Sequence, residues 1–143
     1  MLKNHSIAHK FFIFTGIILA IACMVTSSFP SIEYSSSYGW NMNDTRPIGN
    51  FDSSIFLILG IIEILLLFTS NHALRRLALF ISLAKIFLPW FSFCANNFLG
   101  SLMTDASFKY TVLNNFPYIT TFLAILLFIQ HLLMYIFIYP NHK

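Results

Sequence analysis

Long apolar stretches alternate with short polar segments along this chain. A helix needs about 20 mainly apolar residues to cross about 30 Å of hydrocarbon. Hydrocarbon offers no hydrogen bonds, so each such stretch must satisfy its backbone as a helix. The pattern therefore predicts an all-α membrane protein, a single four-span domain over residues 1–143, with its four transmembrane helices in a compact bundle. The predicted helices cover about 11–29, 53–70, 77–97 and 117–139.

The composition excludes an ordinary soluble domain. Hydrophobic residues make up 57% of the chain and charged residues only 9%, against about 25% charged residues in typical globular chains. The net charge of +3 is small and scattered, so nucleic acid is not an expected partner. The expected surroundings are a lipid bilayer.

The polar segments predict the connections between the helices. Pro30 ends the first helix, because proline lacks an N–H and clashes with the preceding turn. The segment 30–52 is predicted to be an outer loop, and Gly100 to Asn115 a shorter one. Asn71 to Arg76 is predicted to be a tight turn, which makes helices two and three an antiparallel hairpin.

Lysine and arginine are unevenly distributed between the two sides. Short loops rich in these residues stay in the cytoplasm. We therefore expect a multi-pass protein of the plasma (inner) membrane with cytoplasmic N- and C-termini. Arg46 and Lys109 fall on the outer side, and the inner side has Lys3, Lys10, Arg75, Arg76 and Lys143.

The first apolar segment and the cysteines leave two alternatives open. Leu19 to Cys23 loosely resembles a bacterial lipoprotein cleavage box, but the apolar run continues past Cys23, which favours an uncleaved anchor. Cys23 and Cys94 form no CxxC pair and are interpreted as buried thiols. Both fall toward the outer ends of their helices, so a disulfide between them is also open.

Two charges and a histidine fall inside the predicted spans. Charges inside a membrane are rare and usually face the protein interior. Glu63 and Lys85 lie 11 residues before and after Leu74, so an antiparallel hairpin centred there would place them at one depth, roughly 10–14 Å from the inner helix ends. His131, eight residues before Tyr139, falls near the same depth. The sequence thus predicts an intramembrane polar cluster of Glu63, Lys85 and His131.

Small and polar residues also recur at helical spacing, which is typical of helix–helix contacts in membranes. Gly60 falls on the same face as Glu63. These stripes predict that the helices pack as one bundle rather than as separate anchors. They consist of Gly16, Ala20, Cys23 and Ser27 on helix one, Ser82, Lys85, Pro89, Ser92 and Asn96 on helix three, and Thr120 or Thr121, Ala124, His131 and Tyr135 on helix four.

The cluster has two interpretations. In the first, the cluster binds an ion, carries a proton or recognises a charged substrate. In the second, Glu63 and Lys85 are a structural pair that sets the register of the hairpin. A proton carrier usually keeps an unpaired carboxylate, whereas Glu63 and Lys85 neutralise each other. The pairing favours the structural interpretation.

Enzyme function is not indicated. The chain has no paired carboxylates, no nucleophile–base arrangement and no phosphate-binding glycine loop. His5, His9, His72 and His142 fall in predicted tails or turns, and neither a metal nor a cofactor is expected. Small drug exporters also have four short spans and an intramembrane glutamate, but theirs is in helix one, which is uncharged here between Phe11 and Ile32.

The outer loop carries Tyr34, Tyr38 and Trp40, which suit an interfacial anchor or a partner contact. A long first outer loop, a tight inner turn and a shorter second outer loop are similar to the order in claudin-like tetraspan modules. The loop has no cysteine pair, so this likeness concerns architecture alone. The leading hypothesis is an accessory or interaction subunit of a membrane complex, bound to other membrane subunits or to itself. The alternative is a small proton- or ion-coupled transporter or channel that uses Glu63, Lys85 and His131.

Overall fold

The chain folds mainly into helices, as its apolar pattern predicts. The computed structural model describes residues 2–36, 44–47, 53–103, 108–112 and 114–138. A π-helical segment, Met134–Ile138, continues the last helix. The helices are α1 (Leu2–Ser28), α2 (Ser53–Leu67), α3 (His72–Met103) and α4 (Phe116–Leu133).

Three of the four helices are long and apolar enough to cross a membrane. These candidate spans are Ile7–Ser28, His72–Ala95 and Phe116–Phe137. The fourth helix, α2, is apolar over Ile55–Leu67 but has only 15 residues, which rise about 22 Å. Length and composition therefore indicate an integral membrane protein with three long apolar helices and a shorter one.

The inner turn differs from the prediction. The helix expected to continue to residue 70 ends at Leu67, after which Phe68 N–H and Thr69 N–H donate to carbonyls three residues back. The Arg75 side chain binds the free carbonyls of Leu67 and Thr69. A charged donor at these carbonyls replaces the bonds of a further helical turn, so α2 stops early.

Helix α3 also starts earlier than predicted. The Asn71 Oδ1 atom accepts the Ala73 N–H at 2.9 Å, the usual action of asparagine before a helix. Arg75 and Arg76 are therefore helical, and the connection between α2 and α3 is only residues 68–71. The prediction that the turn ran to Arg76 and was centred on Leu74 was wrong, because Asn71 caps the helix before the arginines.

A small antiparallel sheet joins the two segments that were predicted to be irregular outer loops. Strands β1 (Pro30–Ser36), β2 (Asp44–Pro47) and β3 (Phe108–Val112) are arranged in the order β2-β1-β3. In the register, Tyr34 lies opposite Asp44 on one side and Tyr110 on the other. We call the sheet end of the bundle its outer end, and the end with residues 68–71 its inner end.

Most described residues of the predicted stripes face the interior, although Tyr135 is only half-buried. Helix α1 packs against α2 and α4, and α3 packs against α4 and α2. Many phenylalanines point outward, as expected for a surface in contact with hydrocarbon. The side chains of Ser92 and Asn96 lie outside the described part of the structure. The buried faces include Gly16, Ala20, Cys23 and Ser27 on α1, Ser82, Lys85 and Pro89 on α3, and Thr120, Ala124 and His131 on α4.

Candidate functional site

Glu63 on α2 and Lys85 on α3 form an ion pair inside the bundle. The Lys85 Nζ atom donates to Glu63 Oε2 at 2.5 Å, and both side chains are fully buried. The other carboxylate oxygen, Oε1, is buried without a hydrogen-bond partner among the described residues. The structure therefore brings together the two charged side chains of the predicted spans. Glu63 Oε1 has no hydrogen-bond donor among the described residues.

The two charges are not equally far from the inner turn, contrary to the prediction. Glu63 lies four residues before the end of α2, whereas Lys85 lies 13 residues after the start of α3. The pair forms despite this offset.

His131 on α4 is buried but does not hydrogen-bond to the pair. Its Nε2 atom has no hydrogen-bond partner among the described residues. The imidazole lies within electrostatic range of Arg75 and Lys85. The structure thus places His131 near the cationic member of the pair, with a ring nitrogen that can exchange a proton or bind water.

Arg75 is the interior charge that the sequence interpretation missed. Its Nε atom donates to the Thr69 carbonyl at 2.8 Å, Nη2 donates to the Leu67 carbonyl at 3.0 Å, and Nη1 contacts Met134 Sδ at 3.6 Å. The side chain is only 2% exposed. The sequence could have indicated that Arg75 is interior, because its position fits the helical spacing of three to four residues shown by Ala78, Ser82 and Lys85.

Gln130 links α4 to α1. Its side-chain N–H donates to the backbone carbonyl of Phe12. A Cβ atom at Gly16 would come 2.5 Å from this amide nitrogen, so glycine is needed there for the close approach. Gln130 and its neighbour His131 are both buried.

Hydroxyl and thiol groups continue the polar interior toward the outer end. Thr120 Oγ1 donates to Thr26 Oγ1 at 2.9 Å, which ties α4 to α1. The Cys23 thiol lies 3.7 Å from the Thr120 carbonyl and within electrostatic range of Lys85 and Glu63. Cys23 is buried as interpreted, whereas Cys94 is exposed on α3, so the interpretation of Cys94 as a buried thiol was wrong; both are free thiols rather than a disulfide.

Together these groups form what we call the polar column. All four helices contribute to it, and it extends from the inner end of the bundle into the outer half. Two of its members are cations and one is an anion, so its charge is not fully balanced by side chains. Within the residues that the structure describes, no three His, Cys, Asp or Glu side chains are grouped to hold a metal ion. The polar column consists of Arg75, His131, Glu63, Lys85, Cys23 and Thr120.

The outer sheet is attached directly to the helix ends. The rings of Phe29 and Phe116 stack at 4.7 Å, next to the end of α1 and at the start of α4. Asn114 donates a side-chain N–H to the Pro30 carbonyl at 3.0 Å. Of the candidate contact residues, Tyr34 belongs to β1, whereas Tyr38 and Trp40 lie outside the described residues.

Comparison of the chain with protein-family models, with curated proteins and with solved structures gave no match.

Proposed function

We propose that the chain is a small multi-pass membrane protein that acts as an accessory or interaction subunit of a membrane complex. The observation that carries the proposal is the outer sheet, in which β1 pairs with a strand from each outer segment. The sheet is fixed to α1 and α4 by the Phe29–Phe116 stack and the Asn114 bond. Such a base is suited to presenting a contact surface to a partner.

The aromatic residues of the first outer segment are the proposed contact. Tyr34 lies in the central strand, and Tyr38 and Trp40 belong to the segment that connects β1 to β2. Tyrosine and tryptophan are enriched among residues that dominate binding energy at protein interfaces. They supply large contact areas together with a hydrogen-bonding group.

The interior supports a structural role for the charges. A buried pair loses much of its attraction to desolvation, but its separation is strongly destabilising. Glu63 and Lys85 therefore act as a register device for α2 and α3. A bundle with a fixed register holds the outer sheet in one position relative to the membrane.

Four crossings with cytoplasmic termini complete the proposal. The five lysines and arginines that fall on the predicted inner side favour a cytoplasmic location for that side, in the plasma membrane. The short α2 crosses if the bilayer thins locally or if its flanking residues reach the interfaces. Burial of Glu63 against Lys85 removes the charge that would otherwise oppose this crossing.

Purification of the tagged chain in mild detergent tests the interaction role. We expect a stoichiometric membrane partner with the unaltered chain and about a tenfold loss of that partner after Tyr34, Tyr38 and Trp40 are all changed to Ala. Phe91→Ala, which removes an exposed aromatic ring from α3, is the matched control and should retain the partner. Absence of any stoichiometric partner, or equal loss in both variants, contradicts the proposal.

A second function is favoured by two buried atoms. Glu63 Oε1 and His131 Nε2 have no hydrogen-bond partner among the described residues, and both belong to the polar column. Buried polar groups of this kind are usually satisfied by internal water. A small proton- or ion-coupled transporter or channel using Glu63, Lys85 and His131 is the alternative.

Proton flux into liposomes that contain the purified chain separates the two functions. The transporter alternative expects flux above that of empty liposomes, and its loss in Glu63→Gln and His131→Gln. His142→Gln is the control, because His142 falls in the predicted C-terminal tail and is not a member of the polar column. Flux equal to that of empty liposomes rejects proton transport, and the same assay with dyes for other ions extends the test.

A further inference from the structure

Three side chains meet at the inner end of α3 and α4, apart from the polar column. Arg76 is exposed, and its Nε atom donates to the Tyr135 hydroxyl at 3.0 Å. The His72 ring stands edge-on to the Tyr135 ring, with centroids 6.1 Å apart. His72 Nδ1 is buried without a hydrogen-bond partner among the described residues. We call His72, Arg76 and Tyr135 the inner cationic site.

The Tyr135 hydroxyl accepts a hydrogen bond from one edge of the Arg76 guanidinium. Because Nε is used by Tyr135, the two terminal nitrogens of Arg76 remain for a ligand, and the described residues provide no hydrogen bond to them. Two parallel N–H donors match two oxygens of a phosphate or carboxylate. Tyr135 lies in the π-helical segment Met134–Ile138, a type of helix frequently found at functional sites.

The sequence provides no acidic side chain at this end to neutralise Arg76. Four of the five acidic residues fall in the outer segments, and the fifth, Glu63, is paired with Lys85. Lys10 adds an exposed positive charge on α1. The site is therefore complementary to an anion.

The position of the site identifies the kind of anion. His72 begins one candidate span, and Tyr135 lies two residues before the end of another. In a bilayer crossed by these spans, the lipid headgroups would be next to the site. Leu77, Phe80 and Phe137 are exposed apolar neighbours along the same helices. A ligand that fits has a negative headgroup beside an apolar tail, as an anionic phospholipid does.

We propose that the inner cationic site binds the phosphate of an anionic phospholipid, with Arg76 as the phosphate-binding residue and Tyr135 as its positioning residue. The two adjacent arginines then have separate tasks, since Arg75 caps α2 from inside while Arg76 faces the lipid. The proposal depends on embedding in a membrane but not on the accessory role.

Native mass spectrometry of the full chain in detergent tests the site. With phosphatidylglycerol and phosphatidylcholine added at equal concentration, we expect about tenfold greater retention of phosphatidylglycerol. Arg76→Gln should remove most of this preference, and Arg76→Lys should restore only part of it, because lysine is not a planar two-pronged donor. Tyr135→Phe should weaken retention by a smaller factor.

Arg46→Gln is the matched control, because it removes the same charge from the outer side and should leave the preference unchanged. Equal retention of both lipids, or an undiminished preference in Arg76→Gln, overturns the proposal. If inorganic phosphate displaces phosphatidylglycerol as effectively as added lipid does, the site binds free phosphate, and the lipid assignment is wrong. None of these outcomes alters the partner test, which does not involve Arg76.

Discussion

Glu63 and Lys85 are stabilised inside the bundle by the ion pair that they form with each other. Both side chains are fully buried, and each provides the opposite charge that the other requires. Removing one partner leaves an uncompensated buried charge, whereas replacing both leaves none. This asymmetry makes the pair testable without knowledge of the biological activity.

Lys85→Met alone is expected to destabilise the purified protein by about 3–5 kcal/mol. The double variant Glu63→Gln with Lys85→Met should recover most of this loss, because no unpaired charge is then buried. Denaturant titration in detergent, followed by circular dichroism, gives the comparison. Lys10→Met, at an exposed lysine, should change little; a double variant as unstable as the single one contradicts the pairing.

Arg75 and Arg76 provide a second comparison at this scale. Arg75→Gln removes charged hydrogen bonds to two carbonyls at the end of α2, which should cost about 1.5–3 kcal/mol. Arg76→Gln changes an exposed side chain and should cost less than about 0.5 kcal/mol. The same denaturant titration measures both, and equal effects would show that Arg75 is not an interior cap.

At the residue scale, the sequence was informative where a charge interrupts an apolar run. The predicted spans are almost entirely apolar, so the few titratable side chains within them stood out: Glu63, Lys85 and His131. Arg75 did not stand out, because it follows a polar turn and only its helical spacing from Ala78 marks it as interior. The proximity of His131 to Arg75 and Lys85 depends on how α4 packs against α3, which has no local signature in the sequence.

At the element scale, the apolar pattern predicted the four helices but not their ends. Asn71 and Arg75 shift the inner turn by capping one helix and ending the other. The sheet was missed because its strands are short and β1 pairs with β3 from the far end of the chain. Hydrophobic periodicity reports local structure, and no local pattern reports a pairing between distant polar segments.

A cysteine pair tests the register of the sheet. Glu33 and Thr111 are directly opposite in β1 and β3, at a separation that a disulfide can bridge. With Cys23 and Cys94 changed to Ala, the variant Glu33→Cys with Thr111→Cys should form a disulfide under mild oxidation. Its mobility on a non-reducing gel should change.

The off-register variant Glu33→Cys with Lys109→Cys is the control for that experiment. Lys109 faces Ser35 rather than Glu33, so its crosslinking should be much slower. Equal rates for the two pairs would mean that the outer segments meet without a fixed register, and the sheet would then not serve as a base for partner contacts.

At the scale of the whole molecule, the two ends of the bundle differ. The sheet, with Glu33 and Asp44 in its strands, belongs to one end, and the inner turn with Arg75 and Arg76 belongs to the other. The polar column runs through the buried interior from the inner end into the outer half, whereas many large apolar side chains are exposed on the outside of the bundle. Composition predicts embedding in a membrane, but the short α2 is the element whose crossing most needs an independent test.

Cysteine accessibility in intact cells tests most directly whether the chain crosses the membrane four times with Arg75 and Arg76 at the cytoplasmic end. Single cysteines replace Thr45, Asn71 or His142 in a chain that lacks Cys23 and Cys94, and a membrane-impermeant maleimide is added from outside. We expect labelling at position 45 in intact cells, and labelling at positions 71 and 142 only after permeabilisation. Labelling of both 45 and 71 from outside would mean that α2 does not cross the membrane, and labelling of 71 without 45 would mean that the orientation is inverted; either result contradicts the proposed topology.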